Sequence, residues 1–150
     1  MTGQTSASRV TGPISLIAYG TPAPQGSKRH VGRGVMIESS KKVRPWRQDV
    51  KYAALAVCEG CPPMDGPLRV RMVFTLQKPK SAPKRRRTWP DRTPDLSKLA
   101  RSTEDALTDA GLWADDARVV EYLRLAKVFP GEDPEALDRP GVRITVESSA

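Results

Sequence analysis

The chain has 150 residues, and its 25 Lys and Arg against 17 Asp and Glu give a formal net charge of +8. No apolar run reaches the roughly 18 residues of a membrane span, and two cysteines are too few for a disulfide scaffold. The excess positive charge favours an acidic partner, with nucleic acid as the first candidate. A basic protein whose charge only keeps it soluble is the alternative.

The first residues are polar and lack the apolar segment of a signal peptide. We therefore expect a flexible tail over residues 1–12, one folded domain over residues 13–150, and a cytoplasmic location. Cys58 and Cys61 have the C-x-x-C spacing of half a zinc site, but the sequence contains no second pair. We expect both to be incidental reduced thiols.

In the first half of the chain, residues 14–19 form a short β-prone apolar run that predicts a strand. Residues 20–34 are rich in Gly and Pro and predict a loop, and residues 35–37 predict a short strand. Helical spacing then runs from about residue 44 to residue 59, with Pro45 suited to the first turn. The apolar face of this helix comprises Trp46, Val50, Ala53, Ala54 and Val57.

In the second half, alternating residues 68–76 predict a strand, and the proline-rich basic residues 78–93 predict an irregular segment. Helical spacing returns over residues 97–110, with Ser97 as a candidate N-cap and Gly111 as a candidate stop. Residues 117–128 and 142–146 predict two further strands. This order predicts an α+β domain with two main helices packed on one side of a small mixed sheet.

Residues 78–101 concentrate nine basic side chains around Trp89. Such density suits neutralisation of phosphates, and an aromatic ring among the charges could stack on a base or wedge into a junction. A solvated loop whose Trp packs on its own domain is the alternative. The single histidine, His30, lies in a Gly-rich basic loop and favours neither Ser-His-Asp nor Cys-His catalysis.

Carboxylates flank this basic region: Asp95 precedes the second predicted helix, and Asp115 and Asp116 follow it. Asp95 and Asp116 can share an ion if the chain after the helix returns beside the helix start. Such an open oxygen-ligand site suits Mg²⁺, which can support phosphodiester hydrolysis. The alternative is that these residues are only helix-end and turn acids.

The motif over residues 94–101 (PDLSKLAR), with Asp105-Ala106-Leu107 and residues 115–119 (DDARV), resembles the RusA family of Holliday junction resolvases. The resemblance covers about residues 13–147 and includes a Pro-rich basic entry loop over residues 20–29. It implies a small RusA-like α+β homodimer, often encoded by a phage or prophage. Such a dimer nicks four-way DNA junctions with Mg²⁺ or Mn²⁺, in the cytoplasm of a bacterial host and close to its nucleoid DNA.

By position, the resemblance implies that Asp95 and Asp116 are catalytic metal ligands, with Asp115 as a further ligand. Arg101 stands where the family has a catalytic Lys, and Ser97 stands where it has a third acidic ligand. The implied partner is branched DNA, with no membrane and no small-molecule cofactor. The expected DNA-binding residues are Lys28, Arg29, Lys84, Arg85, Arg86, Arg87, Trp89, Lys98 and Lys127.

Ser97 leaves two interpretations open. The protein is an active Mg²⁺-dependent endonuclease in which Asp115, Glu104 or Asp105 compensates for the missing acid, with Asp115 favoured. Alternatively, it is a weakened or inactive protein that binds junctions without cutting them. Asp105 is expected to pair with Arg101 at i,i+4 spacing. A basic scaffold that contacts another protein through its helices is a weaker third hypothesis.

Overall fold

A computed structural model describes residues 12–26 and 33–149 of the chain. In chain order, its elements are strand β1 (Ile14–Tyr19), helix α1 (Arg33–Cys58), strand β2 (Leu68–Thr75), helix α2 (Leu96–Ala110), a 3-10 turn (Asp116–Arg118), strand β3 (Val119–Val128) and strand β4 (Gly141–Ser148). The predicted α+β class and the order of the main elements are confirmed. The predicted tail lies outside the described residues up to residue 11.

The four strands form one mixed sheet in the order β1-β4-β2-β3. Strand β4 is antiparallel to both β1 and β2, whereas β3 is parallel to β2. A parallel pair needs a crossover connection, and here the basic segment and α2 provide it. Strands β1 and β3 are left at the two edges of the sheet.

Strand β2 shows why both helices lie on one side. Leu68, Val70, Met72 and Phe74 point to one face and are fully buried, in one core cluster with apolar residues of α1 and α2. The intervening Arg69 and Arg71 form ion pairs with carboxylates on neighbouring strand and loop residues. The alternation predicted from the sequence therefore separates a core face from a charged face.

The two helices are joined by a buried polar contact. The indole N–H of Trp46 on α1 donates to Thr103 Oγ1 on α2 at 3.2 Å, and both residues are almost fully inaccessible to solvent. A buried donor without a partner would cost about 1–3 kcal/mol. This hydrogen bond thus fixes α2, and the residues at its ends, against the core.

Helix α1 differs from its prediction. It begins at Arg33, so the strand predicted over residues 35–37 is wrong, and Pro45 lies inside the helix rather than in its first turn. Pro45 is exposed, so its ring faces solvent while the helix continues past the missing N–H donor. Val57 is 49% exposed because it lies in the last turn, next to an exposed loop.

The chain turns sharply after α1, and the expected reduced thiols are not observed. Cys58 and Cys61 are joined by a disulfide, since the turn at Gly60 (φ 80°) brings their Cα atoms to 5.3 Å.

The other corrections are shifts of boundaries: β3 begins at Val119 after the 3-10 turn, and β4 extends over Gly141–Ser148. Among the described residues, no helix is long and apolar enough to cross a membrane.

Candidate nucleic-acid interface and carboxylate site

Asp95 lies directly before α2 and acts as its N-cap through its backbone. Its carbonyl accepts hydrogen bonds from the Lys98 and Leu99 amides at 3.1 and 3.0 Å, but its side chain forms no cap hydrogen bond. Ser97, the predicted N-cap, lies one residue inside the helix because the extended backbone conformation falls at Asp95. The Asp95 carboxylate is exposed and lies 3.6 Å from the Lys98 ammonium, at the positive end of the helix.

Lys127 on β3 reaches the same end of α2. Its ammonium donates to the carbonyls of Arg92 and Pro94, each at 2.9 Å. The chain therefore returns antiparallel to α2, with the end of β3 beside Asp95. Lys127, predicted to bind DNA, uses two of its donors to hold the segment that precedes α2.

Asp115 lies directly before the 3-10 turn, and Asp116 is its first residue. Asp115 caps this turn by accepting a hydrogen bond from the Ala117 amide at 2.8 Å, and it also contacts Arg118 at 3.5 Å. Both of its oxygens thus have protein partners. Asp116 is exposed, and its negative charge contributes to raising the pKa of Glu104.

Glu104 was predicted only as a less favoured substitute for the acidic ligand missing at Ser97. In the structure, its pKa responds to the charge of Asp116. Glu104 accepts a hydrogen bond from the Tyr122 hydroxyl. Burial is the largest cause that raises the pKa of Glu104, and nearby Asp116 and Asp105 add to this effect while the Tyr122 hydrogen bond opposes it. Glu104 follows Ser97 by seven residues, so both lie on one side of α2, and this spacing is the only signal that the sequence offers.

Asp95 and Glu104 lie at different levels of α2, because nine positions of the chain correspond to about 13 Å along the helix. In the described part of the chain, no three Asp, Glu, His or Cys side chains are placed so that they could hold a metal ion. A shared site of Asp95, Asp115 and Asp116 therefore stays a prediction.

Arg101 is exposed one turn beyond Lys98. Within residues 12–26 and 33–149 it forms no ion pair, so the pair expected with Asp105 is not observed. Its guanidinium is available to an external anion.

The basic segment, residues 78–93, is irregular as predicted, but it is anchored to the loop between β3 and β4. Lys78 pairs with Glu132, whose carboxylate also accepts the Thr88 amide at 2.9 Å. Arg87 pairs with the almost fully buried Asp133 at 2.6 Å. Asp133 also accepts from Arg124, and these partners hold the pKa of Asp133 well below its usual range.

The anchored segment presents the remaining predicted DNA-binding residues to solvent. Lys84, Arg85 and Arg86 are exposed and form no ion pair with another described residue. They line an open groove of about 510 Å³. Trp89 is 53% exposed, and the Arg87 guanidinium lies 4.0 Å from its ring centre. Unpaired cations beside an exposed aromatic ring suit a polyanion with stacking groups.

The entry loop packs against the start of α2. The Gln25 amide donates to the Lys98 carbonyl at 3.0 Å, and Ser102 Oγ donates to the Ala23 carbonyl at 2.7 Å. Lys28 and Arg29, also predicted to bind DNA, lie outside the described residues, as does His30. The chain that leads to them leaves the described structure beside Lys98.

A small α+β domain with carboxylates along one helix and a dense anchored cationic segment has the features of a protein that processes nucleic acid. The family model of Endodeoxyribonuclease RusA matches residues 19–147, which is 129 of the 150 residues. The chain belongs to the RusA family, whose members are Holliday junction-resolving, generally divalent-metal-dependent endonucleases. A search of the curated proteins finds no match.

Proposed function

We propose that this protein is a Mg²⁺-dependent (or Mn²⁺-dependent) endonuclease that nicks four-way DNA junctions as a homodimer. The observation that carries the proposal is the exposed Asp95 carboxylate at the N-terminus of α2, with Lys98 at 3.6 Å and the unpaired cations of the basic segment on the same chain. Family membership supplies the reaction class and the branched substrate.

Different residues of the chain have different roles in binding DNA. Lys84, Arg85 and Arg86 neutralise phosphates away from the reacting bond, so binding is salt-dependent. Arg101 stabilises charge that develops on the scissile phosphate. Lys127 positions the chain before Asp95 through the carbonyls of Arg92 and Pro94.

The proposed metal ligands are Asp95 and Asp116. Mg²⁺ fits a site with few carboxylates because it keeps several of its waters. The described residues of one chain contain no three-carboxylate centre, so an ion held by Asp95 and Asp116 would keep water at its remaining positions.

A homodimer suits this substrate, because a two-fold enzyme presents two sites to a quasi-two-fold junction. Val120, Tyr122 and Leu123 on the edge strand β3 are unusually exposed for large hydrophobic residues, at 61%, 42% and 37%. This exposed edge is available for contact with a second copy. Light scattering in solution is expected to give twice the mass of one chain.

The activity is tested with a labelled four-way junction and a linear duplex of the same arm sequence, each with Mg²⁺, Mn²⁺ or EDTA. We expect paired nicks in the junction only, and only with metal. Asp95→Asn and Asp116→Asn are expected to slow nicking by roughly 100-fold or more, whereas Asp138→Asn, on an exposed loop, serves as the matched control. Full activity of Asp116→Asn would remove that residue from the site.

Ser97 favours a second candidate function, a junction-binding protein that does not cut. Where the family has an acidic ligand, Ser97 offers only a neutral hydroxyl, so the site lacks one negative charge. This candidate predicts tight, salt-sensitive binding of junctions without nicks under any metal condition.

A further inference from the structure

A large cleft opens beside Trp89 and extends toward Asp95. It has a volume of about 1090 Å³ and lies between the entry loop, the basic segment and the chain that follows β3. Thr21 and Pro22 line one side, and Phe129 and Pro140 line another. The lining continues along the basic segment to Pro94, the residue before Asp95.

The walls of this cleft combine flat apolar groups with short polar ones. Six prolines line it, together with Leu76 and Phe129: Pro22, Pro79, Pro83, Pro90, Pro94 and Pro140. Proline has no backbone N–H, so walls built from proline present few unpaired hydrogen-bond donors to a ligand. The hydroxyls of Ser81, Thr88 and Thr93 and the Gln77 amide also line the cleft. This chemistry fits a flat aromatic group with polar edges.

Trp89 forms part of the lining and is held in place by its neighbours. Arg87 is anchored by Asp133, and the Thr88 amide donates to Glu132. The Asp91 amide donates to the Trp89 carbonyl at 2.9 Å. An exposed aromatic side chain on an anchored backbone can stack on a ligand at a small cost in conformational entropy, because its backbone is already ordered.

The charge around the cleft selects the kind of ligand. The charged residues of its lining are Asp91 and Arg92, which pair with each other at 3.8 Å. The same segment also carries Lys84, Arg85 and Arg86, which line the separate groove described above. An anionic chain that bears flat aromatic groups matches an apolar cleft with a cationic groove on the same segment. A nucleic-acid strand has this chemistry.

We propose that the cleft receives one unstacked nucleobase of a DNA strand, which stacks on Trp89 while the adjacent phosphates lie against the basic segment. Because the lining ends at Pro94, a base held there places the neighbouring phosphodiester beside Asp95. The proposal rests on the proposed function only for the source of the base, which is the strand-exchange point of a junction. It adds a site that selects bases to a surface that otherwise binds phosphates.

The test uses the emission of the wild-type protein. Trp46 and Trp113 are each about 1% exposed, so a change in tryptophan emission on adding DNA reports Trp89. Two probes are compared, a short single-stranded oligonucleotide and the same backbone with abasic sites. We expect the first to quench the emission and to bind roughly 5- to 150-fold more tightly than the second, as expected for one base stacked on an aromatic ring. Equal affinity of the two probes, with equal emission, overturns the proposal.

Variants extend the test to the junction. Trp89→Ala is expected to remove the preference for the normal over the abasic oligonucleotide, Trp89→Phe to retain part of it, and the control Tyr52→Ala, at another exposed aromatic residue, to retain all of it. Normal junction nicking by Trp89→Ala with unchanged base preference overturns the base site and leaves the proposed function intact. Absence of nicking, with the base preference present in wild type and lost in Trp89→Ala, supports the base site and contradicts the nuclease.

Discussion

Lys127 on β3 and Pro94 before α2 are joined by a 2.9 Å hydrogen bond from the ammonium to the carbonyl, and the same ammonium binds the carbonyl of Arg92. The contact spans 33 residues of sequence and fixes the chain next to Asp95. An ammonium that donates to two backbone carbonyls in this way positions the segment before Asp95.

Lys127→Met is therefore expected to lower the free energy of unfolding by about 1–2 kcal/mol, because two carbonyls lose a charged donor. Nicking should fall more than junction affinity does. Lys84→Met is the matched control, since Lys84 is exposed and unpaired among the described residues. It should leave stability within about 0.5 kcal/mol and reduce the salt dependence of binding by about one phosphate contact. Urea unfolding measures the change in stability, and salt titrations measure the change in DNA binding. Equal losses of stability and of nicking in the two variants would contradict the positioning role of Lys127.

Asp133 predicts how acid affects the basic segment. Its carboxylate is 3% exposed and is bound by Arg124 and Arg87, and the hydrogen bond from Arg124 is the largest cause that lowers its pKa. Its contribution to stability is fully present above its unfolded pKa of about 3.9 and is lost as the pH falls through the lower folded pKa.

Asp133→Asn should accordingly cost about 2–4 kcal/mol at pH 7, and the difference from wild type should shrink at acid pH. Thermal or urea unfolding between pH 2 and pH 7 measures it. Asp138→Asn is the control, because Asp138 is 72% exposed and pairs only with its neighbour Arg139. A difference for Asp133→Asn that does not change with pH would contradict the assigned ion pair.

Local patterns predicted the elements whose signal lies within a few residues. The alternation of Leu68, Val70 and Met72 predicted β2, and the left-handed conformation that Gly111 adopts (φ 78°) ends α2 as expected. The start of α1 was missed because Pro45 resembles a first-turn residue. The helix nevertheless runs through it, on the side that faces solvent.

The site was predicted less completely, because its geometry depends on contacts between distant residues. The sequence identified Asp95 and Asp116, but their spacing does not show at which level of α2 the returning chain lies. The contact of Glu104 with Tyr122 and the anchoring of the basic segment by Glu132 and Asp133 join residues 18 to 54 positions apart. Such pairs have no local sequence signal.

Glu104 gives a prediction of opposite sign to Asp133. Burial raises the pKa of Glu104, so the folded state binds its proton more tightly than the unfolded state. The ionised form therefore destabilises the fold as the pH rises from the unfolded pKa of about 4.3 through the folded pKa. Glu104→Gln keeps an acceptor for Tyr122 and removes the charge beside Asp116.

We expect Glu104→Gln to stabilise the protein by up to about 1 kcal/mol at pH 7, with the gain disappearing near pH 4. Urea unfolding at several pH values measures this, with the exposed Glu59→Gln as the control. If Glu104 also compensates for Ser97 in the nuclease, the same variant loses nicking activity while it gains stability. A loss of stability at pH 7 would contradict the burial of an ionised Glu104.

Ser97 offers the most direct test of how the site is limited. It is exposed in the first turn of α2, one residue beyond Leu96, so a longer side chain meets no packed neighbour there. Ser97→Asp places a carboxylate two residues after Asp95 and near the positive end of the helix, which favours negative charge by about 0.3–1 kcal/mol. We expect a small gain in thermal stability and a large increase in metal-dependent junction nicking. Ser97→Asn has nearly the same shape without the charge, and it should leave nicking unchanged. An increase in Ser97→Asp alone identifies the missing acid as the limiting feature. Equal nicking rates in wild type and both variants would show that the missing acid does not limit the rate. Either another residue such as Glu104 substitutes for it, or the protein does not cut.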